Sequence, residues 1–526
     1  MLVGDIVTSN ARLYSKKIGV VDDRVRLTWA QFNDRVNRLV NGLLGLGLKK
    51  GERLAVCSEN RHEYAEIFFA VAKAGLITVS LNYRLTTEQV LRVINDCQPR
   101  AMIIEEKYVA ALERIAKNIE FVLGIGKKHG CPYDYEALLA RSDPAEPDME
   151  LQEQDIFCIK YTTGTTGTSK GAMITHKNEI TNCLMRLQAT ANTPDDVVLI
   201  AAPLFAAGVQ TRFFGAAFLG CTSVITSFSP ENFVKMVEQE RITYASLMPT
   251  TFRMVEDYLR QSPHPYDLSS LRKFQTEGGQ HCSGNDLREM VDYFHIPYHV
   301  VCKPYGMTEA MPSTYLIPED VAAGFSPTAT EKERKRLESV GKPLFNGRVR
   351  VVDENDHDVP EGQTGEIIVK GDQVMKGYWN NPELTARSLR GGWFHSSDLG
   401  VLDEDGYLYF SGRKDFVIKT GGLMVGPEEV EAAIMEHPAV AEVAVIGLSD
   451  ERWGQAVTAI ACLKLGCRIE GEEIIEHCRK RLASFQLPKK VIFAEKLPRD
   501  VAYHKINRLE LFRTYNGRQA NGAPRK

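Results

Sequence analysis

Ile156-Phe-Cys-Ile159-Lys-Tyr161-Thr-Thr-Gly164-Thr-Thr-Gly167-Thr-Ser-Lys170-Gly171-Ala172 joins an apolar run of strand type to a loop of glycines and small hydroxyl side chains. Entered directly from a strand, such a loop lets backbone N–H groups and Thr or Ser oxygens close around phosphate oxygens, and Lys170 adds a charge-assisted contact. G-x-x-x-x-G-K-[ST] cannot be laid on it, so it is not a Walker A loop. A flexible Thr/Gly linker is the competing reading. Linkers rarely sit between an apolar strand and a segment such as Ala172–Thr175, which weighs against it.

Upstream of this loop, helical and strand signals alternate. Val36, Leu39, Val40, Leu43 and Leu44 fall on one helical face, and Leu54–Cys57 follows Gly51 as a short strand. Tyr64–Ala74 reads as a helix stopped by Gly75, and Leu76–Leu81 as a strand. Thr86 and Gln89 have capping-box spacing for a helix through Ile94, before the strand Ala101–Ile104. Strict alternation predicts an α/β layered fold with mostly parallel strands. Ser142–Asp155, acidic with two prolines, reads as a linker, and Thr328–Arg336 as an exposed loop or short helix. From about Gly341, recurring glycines with β-rich runs predict a β subdomain. After Gly412 the pattern is a small α+β unit: helix Pro427–Glu436, strands Val443–Ile446 and Thr458–Lys464, helix Gly471–Arg481. The tail beyond Asn516 is expected to fray.

Composition sets outer bounds. With 44% apolar and 25% charged residues over 526 positions, the chain is globular rather than disordered or collagen-like. Sixty-four basic against 68 acidic residues leave −4, so no global basic field argues for nucleic acid or an anionic membrane. Eleven scattered cysteines without a CxxC pair read as reduced thiols of a cytoplasmic protein. Met1–Lys17 lacks a signal-peptide pattern, and no 18-residue apolar run predicts a membrane span.

Further motifs follow in order: Tyr305-Gly-Met-Thr308-Glu309, Gly365-Glu366, Gly377-Tyr378, Trp393-Phe-His-Ser-Ser-Asp398, Gly412-Arg413-Lys-Asp415, Gly421-Gly422, Pro427-x-Glu429-Val-Glu431, and Leu497-Pro498-Arg499 leading to Lys505. This ordered set, spanning residues 161 to 505, resembles the adenylate-forming superfamily of acyl-CoA synthetases, luciferase-like enzymes and adenylation domains. It is most similar to an acid–CoA ligase. The resemblance implies a two-step reaction with ATP, Mg²⁺ and CoA: carboxylate plus ATP gives acyl-adenylate and pyrophosphate, then CoA gives acyl-CoA and AMP. Two anions must approach in the first step, so positioning and charge neutralisation carry the catalysis.

The same resemblance implies site roles. Thr162, Thr163, Gly164, Thr165, Thr166, Gly167 and Lys170 would hold phosphate. Gly278, Gly279 and Gln280 with Tyr305 would hold adenine, and Asp398 with Arg413 the ribose. Thr308 would donate to the α-phosphate, Glu309 would hold the metal, and Lys505 would serve adenylation. The acyl pocket would draw on Phe205, Met248, Gly278, Met307 and Pro312, behind the entrance Pro203–Gly208. Gly421, Gly422 and Trp453 would line a CoA tunnel, and Asp415 would be the hinge. The expected domains are 1–411, binding ATP and acid, a hinge at 412–415, and 416–526 carrying Lys505. Departures from the family pattern stand at Phe416 (usually Asp), His504 (usually Gly), Leu423-Met424 (usually Glu-Asn) and Ala206, where many relatives carry a histidine or an aromatic residue. A monocarboxylic acid, aliphatic or aromatic, long or short, is the expected substrate, since no Arg or Lys stands out as partner for a second carboxylate. A homodimer is a possible assembly. The alternatives are transfer of the acyl group to a carrier protein or its oxidation, and a non-catalytic nucleotide-binding relative.

Overall fold

Thr86 accepts the backbone N–H of Gln89 while the Gln89 amide accepts from Thr86 N, so the helix Thr87–Cys97 opens on the capping box its sequence spells. Gly75, at φ +67°, ends His62–Ala74, a left-handed stop that a β-carbon would oppose. The computed structural model describes the chain except residues 164–168, 191, 277–281, 422, 451, 480, 500–505 and 521–526.

The chain divides into two compact units: Met1–Val349, Ile368–His395 and Asp405–Leu408 form one, and Arg350–Ile367, Ser396–Glu404 and Tyr409–Lys526 the other. The first holds two eight-stranded sheets. One runs Gly377–Tyr378, Ser169–Thr175, Ile156–Thr163, Ile77–Ser80, Arg53–Cys57, Ala101–Glu105, Phe121–Ile125, Tyr133–Asp134, parallel from Ile156–Thr163 onward, as the alternation predicts. The other runs Ala310–Leu316, Val301–Met307, Lys273–Thr276, Tyr244–Leu247, Val197–Ile200, Thr222–Ile225, Ile18–Val21, Arg26–Thr28. All thirteen residues of His62–Ala74 are buried, as is most of Ala207–Phe218. Their phenylalanines interlock, Phe68 with Phe214 at 5.4 Å and Phe69 with Phe213 at 5.7 Å between ring centroids. Each such ring withdrawn from water contributes about 1.5–3 kcal/mol.

In the second unit, Leu423–Val425, Ile418–Thr420, Gly454–Leu463 and Val440–Asp450 pair in that order, and Lys490–Phe493 adds to Gly454–Leu463. Val430 and Ile434 of Pro427–Met435 share a core with Ile474 and Cys478 of Gly471–Arg479. Leu511 of Arg508–Ala520 packs in a separate cluster with Ala444 and Ile446. Arg348–Val352, Gly365–Lys370, Phe394–Leu402 and Leu408–Arg413 make the glycine-rich β region a four-stranded sheet.

Two readings of the sequence need correction. Ser142–Asp155 is not a linker before a new unit: it lies within the first, pinned where Asn37 and Asn41 donate to the carbonyls of Pro144, Asp143 and Ala145 and Lys73 pairs with Glu146 at 2.7 Å. Polar residues made it look detached, yet amide groups of the helix Trp29–Gly45 find their acceptors in those carbonyls. The helix backbone continues past Asn516 to Ala520, and the rest of the tail expected to fray, 521–526, lies outside the described residues.

Among the described residues, the one trio of close ligating side chains is Asp22, His62 and Glu63. Arg61 already claims both oxygens of Glu63 at 2.6 and 2.7 Å, and His62 lies 2.6 Å from Asp22, so this is a compensated ion network.

Candidate active site

Thr308 and Glu309 form the two-residue turn of an antiparallel hairpin, with Met307 facing Ala310 across it. The backbone carbonyl of Glu309 accepts from Met375 N at 2.8 Å, which ties the tip to the neighbouring segment. The Tyr378 hydroxyl donates to Glu309 Oε1 at 2.8 Å. Oε2 has no partner among the described residues. A half-exposed carboxylate oxygen, held by its sister atom and left unclaimed, is the hard donor that Mg²⁺ takes, so the residues present fit that ion. Tyr378 was visible in the sequence as part of Gly377-Tyr378 but carried no assigned role. Its reach to Glu309 comes from the pairing of Gly377–Tyr378 with Ser169–Thr175.

Tyr305 lies on the same hairpin opposite Thr314, 1% exposed. Thr162 faces Lys170 across the strands that enter and leave the Thr/Gly loop. Gly164, Thr165, Thr166 and Gly167, together with Gly278, Gly279, Gln280, Gly422 and Lys505, lie outside the described residues. Of Thr163 the backbone alone is described.

Asp398 and Arg413 are brought together on neighbouring strands, with Arg413 Nε 3.1 Å from Asp398 Oδ1 as an ion pair. Arg413 Nη2 donates to the Ser396 carbonyl at 3.3 Å, and Asp398 N to Ser396 Oγ at 3.0 Å. Between them Ser397 sits at φ +60°, a conformation L-residues rarely adopt, and its N–H donates to Glu366 Oε1 at 3.1 Å. Glu366, from the Gly365-Glu366 motif, thus braces the turn that presents Asp398.

The Pro203–Gly208 segment, expected to be the acid entrance, is stapled by Asn60. Its Nδ2 donates to the carbonyls of Ala202 (2.8 Å) and Thr226 (2.9 Å), and its Oδ1 accepts from Leu204 N at 2.8 Å. Gln210 Nε2 donates to the Leu204 carbonyl at 2.9 Å. Phe205 packs edge-on against Tyr83 at 5.3 Å. Met248 caps the helix Pro249–Gln261, and Ser313 of the Ala310–Leu316 strand, next to Pro312, approaches Met307 Sδ at 3.8 Å.

In the second unit Gly421 and Trp453 meet. Gly421 N donates to the Trp453 carbonyl at 2.8 Å, and a β-carbon on Gly421 would lie 3.2 Å from the indole. Asp415 is the middle residue of a single 3₁₀ turn, Lys414–Phe416. Phe416 lies under the Arg508 guanidinium, 5.6 Å from its ring centroid, and Arg508 also pairs with Glu431 at 2.6 Å and Glu428 at 3.4 Å. Burial pushes the Glu428 carboxyl up to about 7; Arg508 opposes this and Glu431 adds to it. The fold binds this proton more tightly than an exposed glutamate near 4.5, so stability falls as pH rises through 4.5 to 7 and is flat above. Between pH 5.5 and 8 the wild-type midpoint of thermal unfolding is expected to drop by a few degrees more than that of Glu428→Gln. Parallel pH profiles would refute the assignment.

This architecture is that of the adenylate-forming enzymes. Residues 7–379 match the AMP-binding enzyme family and residues 429–502 the AMP-binding enzyme C-terminal domain, and the chain belongs to that family. It is 33% identical to a feruloyl-CoA synthase from an Amycolatopsis species over 94% of this chain and 96% of that one. It is 32% identical to an indoleacetate–CoA ligase from Aromatoleum aromaticum over 90% of each. Among solved structures it is similar to ATP-bound MatB from Rhodopseudomonas palustris (TM-score 0.84, 28% identity, 98% and 99% covered). It is also similar to o-succinylbenzoate CoA synthetase from Bacillus subtilis with its acyl-adenylate intermediate (TM-score 0.81, 26% identity, 99% and 98% covered). The chain is an ATP-dependent acid–CoA ligase of the AMP-forming type, the class its ordered motifs implied. No helix among the described residues is long and apolar enough to cross a membrane.

Proposed function

We propose that this ligase activates a carboxylic acid through the residues its motifs single out, and that Glu309 organises the phosphate end. The carboxylate attacks the α-phosphorus, pyrophosphate leaves, and the thiol of CoA then displaces AMP from the acyl carbonyl. Thr162, Thr163 and the Gly164–Gly167 loop with Lys170 cradle the departing phosphates, and Thr308 donates to an α-phosphate oxygen. Asp398 accepts from the ribose hydroxyls with Arg413 beside it, and Tyr305 with Gly278, Gly279 and Gln280 flanks adenine. Mg²⁺, when bound, supplies charge neutralisation on the phosphates, and Glu309 is the residue that would hold it. Lys505 neutralises charge shared by carboxylate and α-phosphate. Gly421, Gly422 and Trp453 flank the thiol's approach, and residues 412–415 are the hinge between domains 1–411 and 416–526. Phe205, Met248, Met307 and Pro312 form the apolar part of the acid pocket.

The observation that carries this reading is the hairpin tip, where Tyr378 fixes one oxygen of Glu309 and leaves the other open. The names of its relatives cover feruloyl and indoleacetate ligases at 33% and 32% identity and long-chain fatty acid ligases at 31%, so both acid classes belong in the screen. Eleven free thiols fit a cytoplasmic setting. Screening acids for pyrophosphate release with and without CoA tests the reading. Thioester with AMP is the expected product; pyrophosphate release with no CoA-dependent thioester would overturn it in favour of a carrier protein or oxygen as acceptor.

A further inference from the structure

The helix Ala207–Phe218 begins at the acid entrance and presents Gly208, Thr211, Arg212 and Gly215 at helical spacing. At its first turn a β-carbon on Gly208 would lie 3.5 Å from Met311 Sδ, and Thr211 Oγ1 lies 3.6 Å from the same sulfur. One turn on, Arg212 donates to Ser246 Oγ. At Gly215 a β-carbon would lie 2.8 Å from Cδ of Arg186, so the missing side chain makes way for that arginine as it arrives from His176–Thr190.

Arg186 is 4% exposed. Its Nη1 donates to Gln275 Oε1 at 2.8 Å, an oxygen that also accepts the Tyr244 hydroxyl at 2.9 Å. Its Nε has no partner, and neither does the hydroxyl of Tyr315, which is 1% exposed. No carboxylate pairs with Arg186 among the described residues. A buried guanidinium is costly unless paired, and each orphaned polar atom adds to that cost. Tyr244 and Gln275 lie on parallel strands, four residues before Met248 and three before Gly278 respectively. The polar cluster therefore lies deeper along the strands whose carboxyl ends form the acid pocket, the end at which parallel sheets bind ligands. Seven residues of helix separate Gly208 from Gly215, about 10 Å.

We propose that Arg186, steadied by Gln275, is a specificity-determining residue at the floor of the acid pocket. It takes a hydrogen-bond-accepting oxygen at the end of the substrate away from the activated carboxyl. This rests on the acid-pocket reading above. It also departs from the expectation that no Arg or Lys stands out as partner for a second carboxylate. The Tyr315 hydroxyl is the second donor available to the same oxygen.

The test measures kcat/KM for pyrophosphate release on two matched pairs: 3-(4-hydroxyphenyl)propanoic against 3-phenylpropanoic acid, and octanedioic against octanoic acid. Wild-type enzyme is expected to favour the oxygenated member of one pair by about tenfold, as expected when a buried donor would otherwise go unpaired. The pair that discriminates tells a neutral acceptor from an anionic one. Arg186→Met, which keeps length without donors, should bring that ratio close to one. If this variant does not fold, Arg186→Lys and Tyr315→Phe carry the same comparison, and each should shrink the ratio. Wild-type ratios near one in both pairs, or variants that lower both members in proportion, would overturn the proposal and leave Arg186 a structural ion. No pyrophosphate release with any acid would instead sink the ligase reading, and this proposal with it.

Discussion

Lys505→Ala is expected to lower acyl-adenylate formation by roughly 10²–10³-fold while thioester formation from supplied acyl-adenylate stays within a few fold. Adenylation gathers negative charge on the attacking carboxylate and the α-phosphate at once, and a lysine delivers a compact charge to that point. Thiol attack on the finished acyl-adenylate develops charge at the acyl carbonyl instead, where this lysine has no assigned part. The described flanks suit such a delivery. Arg499 and Ile506 pair across an antiparallel bridge, and Asn507 N donates to the Pro498 carbonyl at 2.8 Å. Asn507 also accepts from Glu510 N at 3.1 Å at the start of the helix Arg508–Ala520. Residues 499 and 506, on either side of Lys505 in sequence, are thus tied to each other by backbone bonds that alanine at 505 does not touch. Pyrophosphate exchange and a thioester assay started from acyl-adenylate separate the two halves. Equal losses in both would end the assignment.

Local signals were legible wherever a residue's neighbours in sequence are also its partners in space. The Thr86/Gln89 box, the Gly75 stop and the helix Glu331–Arg336 all follow from contacts three or four residues apart. The family motifs carried the class for a different reason: their order constrains the whole chain at once. What was illegible depends on partners far apart in sequence. Tyr378 reaches Glu309 across 69 positions, and Arg186 meets Gln275 across 89. Arg186 carried no assigned role in the sequence; its burial and the room left for it by Gly215 on the next helix are visible only in the fold. The hairpin at Thr308-Glu309 was hidden because its second strand, Ala310–Leu316, is buried along most of its length and shows no polar–apolar alternation. Phe416 looked like a defect in the hinge motif. Its ring lies against Arg508, so the departure is matched by a partner at the other end of the same unit.

That partner gives the hinge a sharper test. Asp415→Pro is expected to spare adenylation within a few fold and to lower thioester formation by orders of magnitude, because proline fixes φ near roughly −65° at the residue that must rotate. Such a φ suits the 3₁₀ turn Lys414–Phe416 seen here, so one pose is kept and the others are lost. Proline also disfavours helical backbone at the residue before it, which loads some strain onto Lys414. Lys414→Pro is the control, since Arg413 before it is already extended at φ −111° and ψ 136°, and proline is well placed at the first position of a turn. It gives up only the half-exposed contact of Lys414 with Glu366 at 3.5 Å, an interaction of small worth. If residue 415 is the pivot, the control keeps both half-reactions while Asp415→Pro loses the second alone. If the turn is merely structural, the two variants lose both half-reactions together, in step with a lowered unfolding midpoint. Loss of thioester formation in the control alone would move the pivot to residue 414.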